Sequence, residues 1–289
     1  MKPAPFDYQA PATLEEAVEA LANSGGDAKV LAGGQSLIPI LALRLSRFDR
    51  LVDLRRIDSL RGIERINGSV RVGAMTAQAD AERDQTVRTS VPLLARALPL
   101  IGHFQIRNRG TIGGSISHAD PAAELPAVAL ALNARLEITG PDGTRQIAAR
   151  DFFVSTFVTA LDEPEVLTGV SFPVWADNAG FAVEEVARRH GDFAIVGAAC
   201  GVEVAGGAVE RAAIAMFAVG STPLRADSAE QAITGSAVAD LDYEELGRLA
   251  APEEDPPDDV HASSAYRRAV GARVVARALR RAVEEATHG

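Results

Sequence analysis

The chain has 289 residues, of which 47% are hydrophobic and 24% charged, and its 29 Lys and Arg against 39 Asp and Glu give a net charge of −10. This length can bury a full core in one or two domains without disulfides or structural metals. The acidic balance argues against nucleic acid or an anionic membrane as the main partner. The only lysines are Lys2 and Lys29, and no GxxxxGK[ST] pattern is present, which excludes a P-loop.

The single cysteine, Cys200, lies in the apolar run AIVGAACGV and is expected to be a small buried hydrophobe. One cysteine cannot hold an iron–sulfur cluster, so any such cluster must lie on another chain. The N-terminal segment MKPAPFDYQAP lacks the apolar region of a signal peptide. No apolar run reaches the roughly 18 residues needed to span a bilayer. We therefore expect a cytoplasmic protein with no membrane span.

Short strands and helices alternate in the first hundred residues. Thr13 and Glu16 form the capping-box pattern of a helix start, with apolar residues following at helical spacing. The Asn67-Gly68 dipeptide between two extended runs predicts a tight hairpin turn. In chain order we expect a helix after Thr13, a strand over 29–32, a short broken helix over 37–45, a strand over 50–54, a hairpin over 60–75 and a helical stretch over 76–97 interrupted near 90–92.

Longer extended runs and a long amphipathic helix follow. The Pro- and Gly-containing stretch over 173–180 indicates a domain boundary. In chain order we expect a helix or strand over 125–132, a hairpin over 134–147, a strand over 167–172, antiparallel strands over 194–219, and helices over 226–250 and 263–287.

The first glycine pair lies in VLAGGQSL, directly after a predicted strand. Glycine allows positive φ and close approach of backbone to a ligand, and successive amides in such a turn form an anion-binding concavity. The amides of Gly33, Gly34, Gln35 and Ser36, with the Ser36 hydroxyl, would wrap a diphosphate. The alternative is a plain tight turn after a strand.

The second glycine pair lies in TIGGS, from Thr111 to Ser115, within a long predicted loop. Long ordered loops are often functional, so we interpret this motif as a matching cradle with Thr111 and Ser115 as hydroxyl donors. The alternative is a glycine turn in a surface loop. Arg107 and Arg109, just upstream, would pair with the phosphate, fix the loop or face a partner. Two such loops in one chain suggest a pyrophosphate held from two sides.

Three further residues downstream, His118, Asp120 and Glu124, allow two interpretations. They include metal-ligand types, but their spacing fits no standard metal site and Pro121 interrupts it. We prefer carboxylates that accept hydrogen bonds from a polyol, and we expect no metal site. Phe193, after a Gly-Asp turn, would either cover a flat cofactor or, as a single sequence favours, belong to the core. GxGxxG is absent, so a dinucleotide site would not be of the Rossmann kind.

Four segments together resemble the FAD-binding medium subunit of the molybdenum hydroxylases, the group of carbon monoxide and xanthine dehydrogenases. They are FDYQAPATLEEAVEALA, AGGQSLIPILALRL, IRNRGTIGGSISHADPAAELPAVALAL and RRHGDFAIVGAA, with HASSAYRR near the C-terminus. The resemblance implies an α+β fold. It has a two-part vanillyl-alcohol-oxidase-like FAD-binding domain over 1–176, with subdomains of about 1–55 and 56–176. A small C-terminal domain of antiparallel sheet and helices follows over 177–289.

The resemblance also implies the contacts of the cofactor and the partners, with no catalytic residue on this chain. The FAD-binding residues it implies are Ala32, Gly33, Gly34, Gln35, Ser36, Leu37, Thr111, Ile112, Gly113, Gly114 and Ser115 around the diphosphate, Ile101 at the adenine end, Asp120 and Glu124 at the ribityl and ribose hydroxyls, and Leu167 and Phe193 at the flavin ring. The implied partners are a large molybdenum-cofactor subunit and a small subunit with two [2Fe–2S] clusters, assembled as a dimer of heterotrimers. This chain would pass electrons to an external acceptor.

Two residues depart from the family pattern. Xanthine dehydrogenases have a lysine near the flavin at the position that aligns with Glu184, so the reversed charge argues against NAD as the acceptor. Gln35 replaces a histidine common in carbon monoxide dehydrogenases, which argues against that substrate. The alternative function is a stand-alone flavin oxidase of a small molecule, although no base or nucleophile is evident near the expected ring. A non-catalytic nucleotide-binding module is a third interpretation.

Overall fold

A small parallel sheet opens the computed structural model, which describes residues 2–252 and 256–288. Its elements are β1 (Asp7–Gln9), α1 (Leu14–Ala22), β2 (Ala28–Leu31), α2 (Leu37–Ala42) and β3 (Arg50–Asp53), with strand order β1-β3-β2. The expected capping box is present, because the Thr13 hydroxyl accepts from the Glu16 amide and the Glu16 carboxylate accepts from the Thr13 amide. Helix α1 buries its apolar face on this sheet.

A five-stranded antiparallel sheet forms the second part, with strand order β4-β5-β10-β6-β7. Its strands are β4 (Ile63–Ile66), β5 (Ser69–Gly73), β6 (Arg135–Gly140), β7 (Gly143–Ala148) and β10 (Val166–Pro173), and a separate hairpin contains β8 (Phe153–Ser155) and β9 (Val158–Thr159). The helices of this part are α3 (Gln78–Arg83), α4 (Gln85–Ser90), α5 (Pro92–Ala97), α6 (Phe104–Arg107), α7 (Ile112–His118), α8 (Glu124–Ala131) and α9 (Ala149–Phe152). Every residue of α8 is buried, so this helix forms the centre of the core.

The last part is a four-stranded antiparallel sheet in chain order, covered by one long helix. Its elements are β11 (Ala179–Val186), β12 (Val196–Ala205), β13 (Ala208–Phe217), β14 (Leu224–Arg225), α10 (Asp227–Ile233), α11 (Tyr243–Leu249) and α12 (Ser264–His288). The apolar face of α12 packs on β11 and β12 as the sequence pattern predicts. Cys200 is buried in this core, as expected. Within the described ranges, no helix meets the length and hydropathy needed to cross a bilayer.

The α+β class and most expected elements are confirmed, and three differences have clear causes. The stretch over 76–97 breaks at Asp84 as well as at Pro92, because Asp84 caps α4 through a bond to the Val87 amide. Residues 111–115 do not form a loop; they begin α7, with Thr111 as its N-cap. Strand β11 was not predicted, because its apolar residues do not alternate strictly with polar ones.

Three elements from the two halves of the chain meet at Glu285 on α12. Its carboxylate accepts a 2.8 Å hydrogen bond from the Phe181 amide on β11 and pairs with Arg96 on α5, which also donates to the Phe181 carbonyl. A half-buried carboxylate with two charge-assisted partners contributes more than an exposed ion pair.

We expect Glu285→Gln to lower the free energy of unfolding by about 1 kcal/mol, because the amide bond to Phe181 is retained and the pairing with Arg96 is weakened. Glu284→Gln is the matched control, since Glu284 is the exposed neighbour on the same helix. Chemical denaturation of both variants measures the difference. Equal stabilities of the two variants would show that the Glu285–Arg96 pair does not contribute to the stability of the fold.

Candidate functional site

The two glycine motifs lie in direct backbone contact. A Cβ on Gly33 would lie 2.2 Å from the Arg109 carbonyl oxygen and 2.8 Å from the Gly110 Cα, so only glycine fits there. A Cβ on Gly114 would lie 3.2 Å from the Cβ of Ala32. The loop after β2 and the start of α7 therefore face each other, as expected for a ligand held from two sides.

Five consecutive amides in the first motif are free to bind an anion. Among the described residues, no backbone acceptor or side chain bonds to the amides of residues 33–37. The Gln35 side-chain amide donates 3.1 Å to the Gly33 carbonyl and so braces the turn from within. Gly34 has φ of +73°, which an L side chain rarely adopts. Gly33, Gly34 and Gln35 border a cavity of about 390 Å³ that Arg55 and Arg109 also line.

The second motif differs from the amide cradle that the sequence suggested. The Ile112 amide donates to the Thr76 carbonyl, the Gly113 amide to Ala74, the Gly114 amide to the Thr111 hydroxyl and the Ser115 amide to the Thr111 carbonyl. Its backbone donors are therefore already used. What this motif can offer a ligand is the hydroxyl of Thr111 as a donor, the free hydroxyl of Ser115, and the close approach that its glycines allow.

The C-terminal end of α7 leads into the segment that carries Asp120 and Glu124. Ala119 ends the helix with a φ of +51°, and its carbonyl accepts from the Phe157 amide. His118 stacks on Phe157 with ring centroids 4.9 Å apart, and burial lowers the pKa of His118. Asp120 accepts from the Ala122 amide through one oxygen. Across the described ranges, no group of three or more His, Cys, Asp or Glu side chains is arranged to hold a metal ion.

Two carboxyl groups come together at the start of α8. Glu124 is 4% exposed, and burial raises its pKa to about 8, with the charges of Glu185 and Asp120 adding to the rise. Burial also raises the pKa of Glu185 to about 7, and its Oε2 has no hydrogen-bond partner in the described part of the chain. Glu185 lies on β11, so the C-terminal sheet contributes a carboxyl beside the start of α8.

The negative charge of Glu184 is paired within the C-terminal part. Side chains alternate along β11, and Glu184 points to α12, where it pairs with Arg277 and Arg281. Phe181 lies on the opposite face from Glu184, the face that also carries Glu185, and packs into the core of the central antiparallel sheet. The reversed charge of Glu184 is therefore neutralised within the C-terminal part and carries no argument about NAD.

A second cavity of about 390 Å³ is lined by His103, Phe104, Gln105, Arg107 and His190, between the segments that carry Ile101 and Phe193. A Cβ on Gly191 would lie 2.8 Å from the His103 ring, which places the loop that carries Phe193 against this segment. Phe193 is 62% exposed, so the core interpretation is wrong. Arg107 does fix its loop: it pairs with Glu82 at 2.8 Å and donates to the Ile101 carbonyl.

Leu167 is buried beside a bulge in β10, where Thr168 is the extra residue. Its side chain belongs to the core, so only its backbone is available to a ligand. Two residues at these sites were missed by sequence reasoning. Glu185 was missed because β11 was not recognised, and Arg55 because nothing in the sequence pairs it with the glycine motif.

Comparison with known proteins agrees with this geometry. Residues 4–175 match the family described as FAD binding domain in molybdopterin dehydrogenase, and residues 181–282 match the CO dehydrogenase flavoprotein C-terminal domain. The chain belongs to the FAD-binding medium subunits of the molybdenum hydroxylases. It is thus an oxidoreductase subunit whose cofactor is FAD, and the free amides, the close glycines and the two arginines beside them fit a diphosphate.

Relatives of this FAD subunit share its full length. It is 40% identical over 287 residues to the 6-hydroxypseudooxynicotine dehydrogenase complex subunit alpha of Paenarthrobacter nicotinovorans, covering 99% of this chain and 97% of the relative. It is 37% identical to the carbon monoxide dehydrogenase medium chain of Hydrogenophaga pseudoflava, covering 96% of this chain and 97% of that one. The structure of reconstituted CO dehydrogenase from Oligotropha carboxidovorans matches with a TM-score of 0.96 at 36% identity, covering 99% of this chain and 100% of that one.

The raised pKa values of Glu124 and Glu185 predict a pH-dependent stability of the flavin-free subunit. A carboxyl whose pKa is higher folded than unfolded stabilises the fold fully below the unfolded pKa, and this contribution is lost as the pH rises through the folded pKa. The free energy of unfolding should therefore fall, by a few kcal/mol, as the pH rises from the ordinary carboxyl pKa of about 4.5 through the raised values of about 7 and about 8.

Glu124→Gln should remove much of this fall, because an amide has no charge to desolvate. Glu64→Gln on the exposed strand β4 is the control and should titrate like the parent. The lowered pKa of His118 changes stability with pH in the opposite direction, but His118 is present in both variants and so does not affect the difference between their slopes. Denaturant titrations across this pH range measure the slopes; parallel slopes for the two variants would contradict the assignment.

Proposed function

We propose that this chain is the electron-transfer subunit of a heterotrimeric molybdenum hydroxylase. When bound, FAD accepts electrons from [2Fe–2S] clusters of a partner subunit and passes them to an external acceptor. The observation that carries the proposal is the run of five unbonded amides over 33–37, facing the start of α7 in a family of FAD-binding subunits. Such amides bind a diphosphate without support from the net charge of the chain.

The proposed contacts follow from what each residue has free to offer. We assign the diphosphate to the amides of Gly33, Gly34, Gln35, Ser36 and Leu37 and to the hydroxyls of Ser36, Thr111 and Ser115. The backbone of Ala32, Ile112, Gly113 and Gly114 would lie close to the same group. We assign the ribityl and ribose hydroxyls to Asp120 and Glu124, the adenine end to Ile101, and the flavin ring to the Leu167 backbone and Phe193. In this assignment the protein positions the cofactor and excludes water. No residue of this chain acts on the organic substrate.

Partner subunits must supply the other redox centres. Cys200 is fully buried, and burial raises the pKa of its thiol well above its usual range, so it offers no thiolate ligand. Clusters of iron and sulfur therefore come from another chain, as the proposed heterotrimer requires. A dimer of such heterotrimers, in the cytoplasm, is the assembly we propose on the basis of the family.

We expect Gly33→Ala to abolish flavin retention, because the added Cβ would separate the two motifs. The visible spectrum of the chain, purified alone and with its coexpressed partner subunits, measures bound FAD after removal of excess. Gly220→Ala is the control, since its Cβ would meet only the flexible end of Leu224 at 3.1 Å. Thermal melting separates loss of cofactor from loss of fold.

Ser36→Ala provides a gentler test of the same motif. It leaves the backbone unchanged and is expected to weaken FAD binding about threefold to tenfold through loss of one hydroxyl. A parent protein that holds no flavin in either preparation would contradict the proposed function.

The electron-transfer role has its own test in the assembled complex. We expect pre-reduced clusters of the complex to be reoxidised by an added quinone, cytochrome, oxygen or NAD, and at least tenfold more slowly when Gly33→Ala has removed the flavin. Stopped-flow absorbance measures both rates and identifies the acceptor. The isolated chain should oxidise no small substrate; turnover without partners would favour the stand-alone oxidase instead.

A further inference from the structure

Two loops leave the same edge of the parallel sheet and border the same cavity. Strands β2 and β3 are in register, with Leu31 opposite Asp53, so the segments that follow them leave the sheet side by side. One segment carries the free amides over 33–37, and the other carries Arg55. The crevice at the carboxyl ends of parallel strands is a common ligand position in α/β sheets.

The buried carboxylate of Asp53 holds Arg55 in place. Asp53 is 0% exposed, accepts from the Arg55 amide at 2.9 Å and from the Tyr8 hydroxyl at 2.8 Å, and pairs with the Arg55 Nε. A fully buried carboxylate with three donors fixes the direction of the guanidinium. A fixed guanidinium loses less conformational entropy when it binds a ligand.

The Arg55 guanidinium keeps donors that Asp53 does not engage. Only its Nε is engaged, and within the described part of the chain its two terminal nitrogens have no acceptor. Arg109, which lines the same cavity, has no side-chain partner among the described residues either. By contrast, Arg107 on the same segment is buried and paired with Glu82. The cavity is therefore lined by Gly33, Gly34 and Gln35, whose amides are free among the described residues, and by two cationic groups that retain free donors.

We propose that Arg55 and Arg109 clamp the diphosphate of FAD, with Asp53 as the positioning residue for Arg55; this inference rests on the proposed function. A diphosphate diester carries two negative charges at neutral pH, and two guanidinium groups match them. Planar guanidinium donors suit phosphate oxygens. In a chain of net charge −10, a local pair of cations adds to the binding by the amides by offsetting the field of the protein.

The test is FAD affinity as a function of salt, measured by flavin fluorescence on the chain alone or in its complex. We expect Arg55→Gln to raise the Kd about tenfold and to flatten its salt dependence, because one cationic contact is lost. Arg109→Gln should act in the same direction. Arg56→Gln is the matched control: it removes the same charge from the next residue, which is exposed and does not line the cavity.

Asp53→Asn tests the positioning role. It keeps an acceptor for the Arg55 amide but loses the ion pair, so the Kd should rise and the salt dependence should change, which a loss of fold stability alone would not produce. Arg55→Lys should recover part of the salt dependence without the full affinity.

The outcomes separate this inference from the proposed function. If the parent protein binds FAD and Arg55→Gln matches Arg56→Gln in both Kd and salt dependence, the clamp is wrong and the proposed function stands. If the parent binds no FAD, either alone or in its complex, both the proposed clamp and the proposed function are wrong. Thermal melting of each variant ensures that the compared proteins are folded.

Discussion

The backbone contact between Gly33 and the Arg109–Gly110 peptide is the constraint on which the rest of the site depends. It joins the turn after β2 to the segment before α7, and the space between them has no room for a Cβ. This contact therefore fixes the first glycine motif against the segment that leads into α7. Both the cavity with its free amides and the arginines that line it are organised around that point.

The two motifs differ in how their polar groups are satisfied, and this difference explains their roles. The amides at the start of α7 are bonded to Thr111, Thr76 and Ala74, so this side is complete without a ligand. The amides over 33–37 have no acceptor in the part of the chain that the structure describes, and unpaired backbone donors are costly wherever water is excluded. An anion would satisfy several of them at once. The start of α7 therefore needs no ligand to satisfy its amides, whereas the turn over 33–37 has amides available to bind one.

Local signals in the sequence were enough to predict most elements, whereas contacts distant in sequence were not. The capping box at Thr13, the Asn67-Gly68 turn and the apolar face of α12 each depend on residues a few positions apart. The helix at 112–118 was missed because two glycines lower helix propensity, while packing of Gly113 on Ala74 demands them. The site was predicted through its glycines, but Arg55 and Glu185 reach it only through the fold.

Adjacent glutamates on β11 show how strongly the fold determines the chemistry of a residue. Glu184 faces α12 and is neutralised by two arginines. Glu185 raises the pKa of the buried Glu124 through its charge, and one of its oxygens has no partner among the described residues. Two carboxyls with raised pKa values can donate hydrogen bonds as well as accept them near neutral pH. A polyol presents both donors and acceptors. The C-terminal sheet is therefore more than a cover for the FAD-binding part, because the charge of Glu185 adds to the effect of burial in raising the pKa of Glu124, the carboxyl that we assign to the hydroxyls of the cofactor.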